Sequence, residues 1–494
     1  MESVKSELLL ALDLGTTNVK ALVVEAATLG VVNEGSAPAD IRFPRPGWAE
    51  QDGNQIWGAT LEAIRQALDG VNPKDIVGIS ISNQREAVVL WDKTTGQPIG
   101  PVLGWQDSRT TNTCDALKNA GWAEPVQKKT GLPLDAMFSG PKIRELYLAA
   151  VADGHDPKNL AAGTIDAWIV FKLTGEALTE VGNASRTLLL DIHQGAFCNE
   201  LLDIFEVPAG LLPEVRSSDA GFGCTKTGGD LEDILPAGIP ILSVLADSHS
   251  ALYLHSNGKV GEGKATYGTG SSVMVPTQQI NDATSGIATT IAWVENERTV
   301  YAFEGNILAT GAAMAWMAKI IAGGDVRELD RLAETVVASP DAYPCVQFVP
   351  AFGGLGAPYF DRDATGLLQG LTLGATREHL AYSVIESVGQ LVTDVIEAID
   401  QLGSGVLQTL HADGGASRSK VLMQMQANLL GRQVHVSHNA EASALGAALM
   451  ASRKIGHNPL LTSGADTVIV PDKDRKWRDE RRALWADAIR RSRA

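Results

Sequence analysis

Cysteine is scarce and scattered. Cys114, Cys198, Cys224 and Cys345 are the only four in 494 residues, and none forms a CxxC pair or joins histidines at zinc-ligand spacing. That distribution argues against a disulfide framework and against a structural zinc. Positive charge is also in short supply: 41 Lys and Arg face 58 Asp and Glu, a formal net charge of -17. Nucleic-acid backbones and anionic membranes reward cations, so both are excluded as expected partners, and any anionic ligand must be held by local features. No apolar run reaches membrane-spanning length, and MESVKSELLLALDLG lacks the basic start and small-residue cleavage site of a leader. The expectation is a soluble, cytoplasmic protein. Absent too are GxxxxGK[ST] and GxGxxG, which leaves the two commonest nucleotide-binding loops unsupported.

What is present is an ordinary globular composition, 45% hydrophobic, in a chain long enough for two domains. The opening reads as strand, tight turn, strand: Leu8 to Leu12, Gly15-Thr16-Thr17, then Val19 to Val24, with Val31-Val32 beyond a further turn. Asp52 is a candidate N-cap for a helix whose apolar face is Trp57, Leu61, Ile64 and Leu68. IVGISI, Ile76 to Ile81, is a buried strand that delivers Asn83-Gln84-Arg85-Glu86 at its end, where ligand sites of α/β proteins lie. The pattern restarts at GKATYGTGSSVMV, Gly263 to Val275, which suggests a structural repeat and a boundary at about 250 to 262. Further on, Leu380 to Val395 reads as an amphipathic helix. The C-terminal KWRDERRALWADAIRRSRA reads as a surface helix with Trp477, Leu484, Trp485 and Ile489 inward and its arginines solvated.

Asp13 interrupts an apolar run just before a Gly-Thr-Thr turn. A carboxylate at a buried strand end demands a cation, a donor or water, and a hydrated magnesium ion is one such partner. Three glycine-rich turns can aim backbone N–H groups at phosphate oxygens: Gly15-Thr16-Thr17 with Lys20 behind it, Gly268-Thr269-Gly270-Ser271, and Gly414-Gly415-Ala416-Ser417. Each alone is more often a plain tight turn. Asp247, after the apolar LSVLA, either caps the next helix or serves as a base toward an attacking hydroxyl. Arg85 beside Glu86 supplies the donor and acceptor that grip vicinal hydroxyls, and Trp105 offers a flat face for the C–H side of a polyol. An Arg-Glu surface pair and a core Trp are the plain alternatives.

Taken in order, DLGTTNVK, ISNQRE, GWQDSRT, YGTGSS, FVPAFGGLGAPYFDRDATG, HADGGASRS and EASALGAAL resemble the FGGY carbohydrate kinases, the pattern being nearest to their glycerol kinase branch. GLLQGLTLGATREHLAYSVIES fits the C-terminal signature of that family, and the likeness runs from residue 7 to 452. The resemblance implies an α/β fold of two ribonuclease H-like domains of the actin and sugar-kinase type, with ATP and Mg²⁺ in the cleft between them. The domains would be a polyol-binding part over residues 1–255, a nucleotide-binding part over 256–455 and a helical extension over 456–494. It places Asp13, Gly15, Thr16, Thr17, Asn18 and Lys20 at the first phosphate hairpin, and Gly268, Thr269 and Gly270 at the second. Gly311, Gly415, Ala416 and Ser419 fall around the nucleotide, Ser419 standing where glycerol kinases often carry Asn. Asp247 matches the catalytic base, and with Asp13 it would face the metal; Arg85, Glu86, Trp105, Met137, Asp247, Ser248 and Ser272 match substrate positions.

Departures from the glycerol branch concern the substrate. Met137 and Ser272 stand where aromatics are expected, Ser248-His249 replaces Gln-Gln, Glu145 replaces Trp, and Asp107-Ser108 follows the broader sugar-kinase pattern. The leading expectation is an ATP-dependent kinase acting on a primary hydroxyl of a three- to five-carbon polyol or ketose. A pentulose kinase of xylulose or ribulose type is the alternative within the family. A catalytically silent nucleotide-binding sensor or scaffold, or an actin- or chaperone-like ATPase, is the alternative of another class. Assembly is left open, a homodimer included.

Overall fold

The computed structural model describes residues 7–280, 286–338, 346–403, 407–437, 439–460 and 466–494. Cys345 lies outside them; Cys114, Cys198 and Cys224 are all free thiols. The chain divides into two compact units that are discontinuous in sequence. The first is Met1–Gly258 with Thr289–Tyr301 and Glu441–Leu461, and the second is Lys259–Ala288 with Ala302–Ala440 and Thr462–Ala494. Each has its own apolar core.

The central sheet of the first unit contains β1 (Leu8–Leu14), β2 (Asn18–Glu25), β3 (Val31–Pro38), β4 (Ile76–Asn83) and β5 (Ile241–Ala246), in the spatial order β5-β4-β1-β2-β3. β1 and β2 are the antiparallel arms of the predicted hairpin, whereas β4 and β5 run parallel to β1. β1 is covered on both faces, by Ile56 and Ile64 of the helix Gly53–Ala67 on one side and by the helix Ala442–Lys454 on the other. This explains why LLLALDL shows no alternation, since a strand with two buried faces reads as a continuous apolar run. Asp52 caps the helix Gly53–Ala67 as expected, its Oδ1 accepting from the Asn54 N–H at 2.9 Å. Such a cap is worth about 1 kcal/mol. β3 is longer than Val31-Val32 because it lies at the edge of the sheet, where its polar residues meet water and conceal the strand.

In the second unit, β6 (Glu262–Tyr267), β7 (Ser271–Thr277), β8 (Arg298–Ile307), β9 (Thr409–Asp413), β10 (Val434–Val436) and β11 (Thr467–Ile469) stand in the order β8-β7-β6-β9-β10-β11. β6 and β7 form the second hairpin. The long helix Arg377–Gln401 is buried along most of its length. The C-terminal helix Arg475–Ser492 buries Trp477, Trp485 and Ile489, but Leu484 is 37% exposed, contrary to the periodicity reading. Arg481 is buried in its stead, its Nε donating to Glu386 Oε1 at 2.6 Å. Arg482 donates to Asp394 Oδ1 at 2.6 Å and also pairs with Glu397. The arginines of this helix are therefore not a uniformly solvated face: an ion pair with an internal carboxylate outweighs the apolar side chain in fixing the helix's rotation. No helix among the described residues is long and apolar enough to cross a membrane.

Candidate active site

Strand register assembles the first group of residues. Leu14 is opposite Asn83 and Asn83 is opposite Ala246, so β1, β4 and β5 end at one level. The residues that follow these ends are Gly15-Thr16-Thr17, Gln84-Arg85-Glu86 and Asp247. Three sequence-distant motifs meet because three parallel strands stop together.

Asp247 opens the helix Asp247–Ser256, and its Oδ1 accepts from the Ser248 N–H at 2.6 Å. The N-cap position itself is Ala246 and carries no side-chain cap, so Asp247 is an acid in the first turn and not the capping residue. Arg85 Nε lies 3.7 Å from Asp247 Oδ1 and 3.9 Å from Glu86 Oε1, so one guanidinium holds both acids. Glu86 is buried and takes a left-handed backbone, φ 60°. That conformation costs a non-glycine residue about 1–2 kcal/mol and persists only where its surroundings enforce it. Here they do: Arg186 Nε donates to Glu86 Oε1 at 2.6 Å, and the Ser139 hydroxyl donates to the Glu86 carbonyl at 3.1 Å.

Asp13, one residue before the end of β1, faces Lys20 on β2 and Ser82 on β4. Burial, followed by the nearby Asp247 carboxylate, pushes the Asp13 acid from 3.8 up to about 7, despite help from Ser82 and Lys20. Asp13 Oδ1 is buried with no hydrogen-bond partner among the described residues. Lys20 does not discharge it fully, since its ammonium sits 2.6 Å from Glu441 Oε1. A buried, unpartnered carboxylate oxygen beside a second acid fits a hard, oxygen-seeking dication such as Mg²⁺. The hairpin is tight, with Gly15 N–H donating to Asn18 O at 3.0 Å and Thr17 and Asn18 exposed.

Trp105 is 40% exposed, and its indole N–H is 3.3 Å from Thr16 Oγ1, which ties the aromatic face to the hairpin. Behind it, Asp107 is buried, accepts from Arg109, and binds the Ala49 N–H at 2.8 Å. Met137 is half-buried. Lys142, fully buried, donates to the carbonyls of Met137 at 2.6 Å and Gly104 at 2.8 Å, thereby fixing both stretches. Burial lowers this ammonium to about 8. His249 does not present a ring to ligand: it is completely buried, and its Nδ1 is 3.1 Å from where a Cβ on Gly182 would stand. The packed reading of that histidine prevails over the substrate-contact one.

The nucleotide motifs gather in the second unit. The N–H groups of Thr310, Gly311 and Ala312 donate to the carbonyls of Gly268 and Thr269 at 3.0 to 3.1 Å. Gly311 opens the helix Gly311–Ile321, and a Cβ there would come within 2.4 Å of Gly268 O. Gly414 has φ 91°, and a Cβ on it would meet Tyr267 O at 2.6 Å. β6, its hairpin and the Gly414-Gly415-Ala416 turn are thus in backbone contact, which exposes Thr269 and Gly415 with no bulk in front of them. Ser419 is mainly a helix cap: its hydroxyl accepts from Leu422 N–H at 3.0 Å and donates to Asp330 Oδ1 at 2.6 Å. Ser272, on β7, lies 3.4 Å from Glu304 Oε1.

Sequence reading missed Arg186, Lys142 and Glu441. Arg186 is 100 residues from Glu86 and Lys142 is 38 from Gly104, while Glu441, though it opens the EASALGAAL stretch, is 421 from Lys20, so the role of each shows only in the fold.

Backbone-lined glycine turns suited to phosphate, with a strand-end acid pair gripped by arginine, define a phosphotransferase that acts on an alcohol group. Family models agree: the N-terminal domain of the FGGY family of carbohydrate kinases matches residues 8–253, and its C-terminal domain matches 263–455. Among relatives, a glycerol kinase of Alkalilimnicola ehrlichii is 38% identical, with 98% of each chain covered. An apulose kinase of Pectobacterium atrosepticum is 39% identical over 91% of this chain and 90% of its own. Among solved structures, Plasmodium falciparum glycerol kinase with ADP superposes with a TM-score of 0.90 at 28% identity, covering 99% of this chain and 98% of its own. Xylulose kinase from Rhodospirillum rubrum gives 0.87 at 25% identity, with 97% of each covered. The chain belongs to the FGGY family of carbohydrate kinases, and it is an ATP-dependent kinase of polyol or carbohydrate substrates.

Proposed function

We propose that the protein transfers the γ-phosphoryl group of ATP to a primary hydroxyl of a small polyol or ketose of three to five carbons, in the manner of a glycerol kinase. The observation that carries this reading is the Arg85 guanidinium within 4 Å of both Asp247 and Glu86 at the ends of adjacent parallel strands. Glu86, held by Arg186, accepts from one substrate hydroxyl while Arg85 donates to its neighbour, leaving Asp247 for the terminal hydroxyl. As that oxygen attacks phosphorus and the bond to the bridging oxygen of ADP breaks, its proton passes to Asp247. Trp105 lies along the carbon chain.

Asp13, together with Asp247, is the proposed holder of Mg²⁺, a reading supported by the unpartnered Asp13 Oδ1. Magnesium bound there supplies charge neutralisation for the phosphate oxygens. Gly15, Thr16, Thr17, Asn18 and Lys20 on the first hairpin, Gly268, Thr269 and Gly270 on the second, and Gly311, Gly415, Ala416 and Ser419 beyond it are the proposed nucleotide contacts. Small residues there let phosphate approach the backbone N–H groups. The N-terminal part is the polyol-binding one and the C-terminal part the nucleotide-binding one. A cytoplasmic location and a homodimer belong to the same proposal.

Relatives named for glycerol and for apulose match almost equally well, at 38% and 39% identity, so the family's substrate range is open at this distance. Met137 and Ser272, in place of rings, favour substrates longer than glycerol. A coupled assay of ADP formation, with and without a panel of polyols and ketoses, tests the proposal. ADP release that depends on an acceptor supports it. Equal release without acceptor identifies an ATPase, and nucleotide binding without release identifies a silent sensor.

A further inference from the structure

We propose that His411, His435 and Asp466 form a binding site for a divalent transition-metal ion of the zinc type on the edge of the second unit's sheet. One ring nitrogen from each histidine and one carboxylate oxygen of Asp466 all lie within 4.8 Å of one another. The juxtaposition is produced by register. His411 on β9 is directly opposite His435 on β10, their rings edge to face with centroids 5.3 Å apart. His435 is opposite Val468 on β11, so Asp466, two residues before Val468, falls on the same face at the diagonal position. Two adjacent strands and the residue that leads into a third thus bring two histidines and one aspartate to one spot.

The chemistry of the set selects the ion. Two imidazoles with one carboxylate are borderline-soft, which suits Zn²⁺ and its first-row neighbours, whereas Mg²⁺ prefers an all-oxygen shell. Metal–ligand bonds of about 2.1 Å place tetrahedral ligands about 3.4 Å apart, so the three side chains need to draw in by no more than about 1.4 Å. His435 and Asp466 are only half-buried and have room for that adjustment, while His411 is buried and fixed. Its orientation comes from Glu262 on β6, whose Oε2 is 2.9 Å from His411 Nε2. With that N–H given to a carboxylate, Nδ1 is the ligating nitrogen, the arrangement by which metal-bound imidazoles are commonly aligned. Lys264, opposite His411 in the register of β6 and β9, does not supply a competing cation: its ammonium turns to Thr266 Oγ1 at 2.6 Å and toward Asp413 at 3.8 Å. One protein-free position remains for water, as in a tetrahedral site of three protein ligands.

A bound ion would tie β9, β10 and β11 together. β9 runs directly into the Gly414-Gly415 turn, so the ion steadies the strand that carries it. The site shares no residue with Asp13 and Asp247, and residues 411, 435 and 466, far apart in sequence, are brought together only by pairing across strands.

The test uses the full chain, stripped with EDTA and then kept in excess Mg²⁺. Titration with Zn²⁺ by calorimetry, and with Co²⁺ followed by its visible absorption, should each show one saturable equivalent, and Zn²⁺ should raise Tm. In His435→Gln and Asp466→Asn, both at half-buried positions, affinity should fall at least tenfold and the rise in Tm should vanish, while circular dichroism and acceptor-dependent ADP formation are unchanged. Absence of saturable Zn²⁺ binding in the parent protein, or binding of undiminished affinity in both variants, would overturn the assignment.

Discussion

Arg186 and Glu86 are joined by a 2.6 Å bond from guanidinium Nε to carboxylate Oε1, with side chains only 1% and 5% exposed. The acid proposed to grip substrate is therefore already held from below by a residue remote in sequence. Removing one partner of such a buried pair costs about 3–5 kcal/mol, because the other charge is left without compensation. Arg186→Met should lower stability by that order and raise KM for the acceptor, with KM for ATP little changed. Chemical denaturation and two-substrate kinetics check this, and an unaltered acceptor KM in folded variant would show that Glu86 does not need its support.

Asp247→Asn should bind ATP as the parent does while turnover falls by roughly two to four decades, the scale of a lost general base. The readouts are nucleotide titration and steady-state ADP formation. Near-parental turnover would remove Asp247 from the proton's path.

Asp13 makes stability depend on pH in a defined direction. Its acid is raised from 3.8 to about 7 in the folded chain, so the folded state holds a proton that the unfolded state has released. Without divalent ion, stability should fall as pH rises from about 4 to about 7 and level off above. Glu180, raised from 4.5 to about 8 chiefly by burial, adds a slope of the same sign. Asp13→Asn should flatten the Asp13 share, and Mg²⁺ should restore stability near pH 7 in the parent only. Identical pH curves for the two proteins would exclude a proton-holding, metal-seeking Asp13.

Gly311→Ala places a methyl group 2.4 Å from Gly268 O. The second hairpin must move, and ATP binding should weaken at least tenfold while acceptor binding persists. Isothermal titration with each ligand separates the two effects.

Glycerol should not be the best acceptor. Met137, half-buried and anchored through its carbonyl by Lys142, presents a flexible thioether where a rigid ring is expected, and Ser272 offers a hydroxyl. Discrimination from fit of this kind is about 1–3 kcal/mol per group, so glycerol should still react, but with lower kcat/KM than a four- or five-carbon polyol or ketose. A glycerol kcat/KM above those of erythritol, D-xylulose and L-ribulose would reverse the substrate assignment.

The parts of this molecule that were legible in sequence are those encoded by neighbours. The Leu8–Leu14 strand, the Gly15 turn and the Asp52 cap each announce themselves within a few residues, and so do the two hairpins and the strand-end acids. What was hidden depends on partners across the fold. Arg186 reads as an isolated arginine until it is seen beneath Glu86, and Lys142 as a helix lysine until its ammonium is seen bonding two carbonyls. Leu484 and Arg481 exchanged their expected places because Glu386 rewards a buried cation, which no helical periodicity can announce. His249 sits next to the proposed base in sequence, yet helix geometry turns it into the interior.

The discontinuity of the first unit bears on how the protein is made. The helix Ala442–Lys454 packs on β1, β4 and β5, so the sheet formed early in synthesis stays bare on one face until almost the whole chain has left the ribosome. The second unit likewise waits for Arg475–Ser492, whose Arg481 and Arg482 neutralise Glu386 and Asp394. Neither unit can finish folding while the nascent chain is still growing through its middle. A partly made chain therefore carries exposed apolar sheet for longer than a protein with contiguous domains, and early termination would yield a fragment suited to chaperone capture or proteolysis, with no independently folded half.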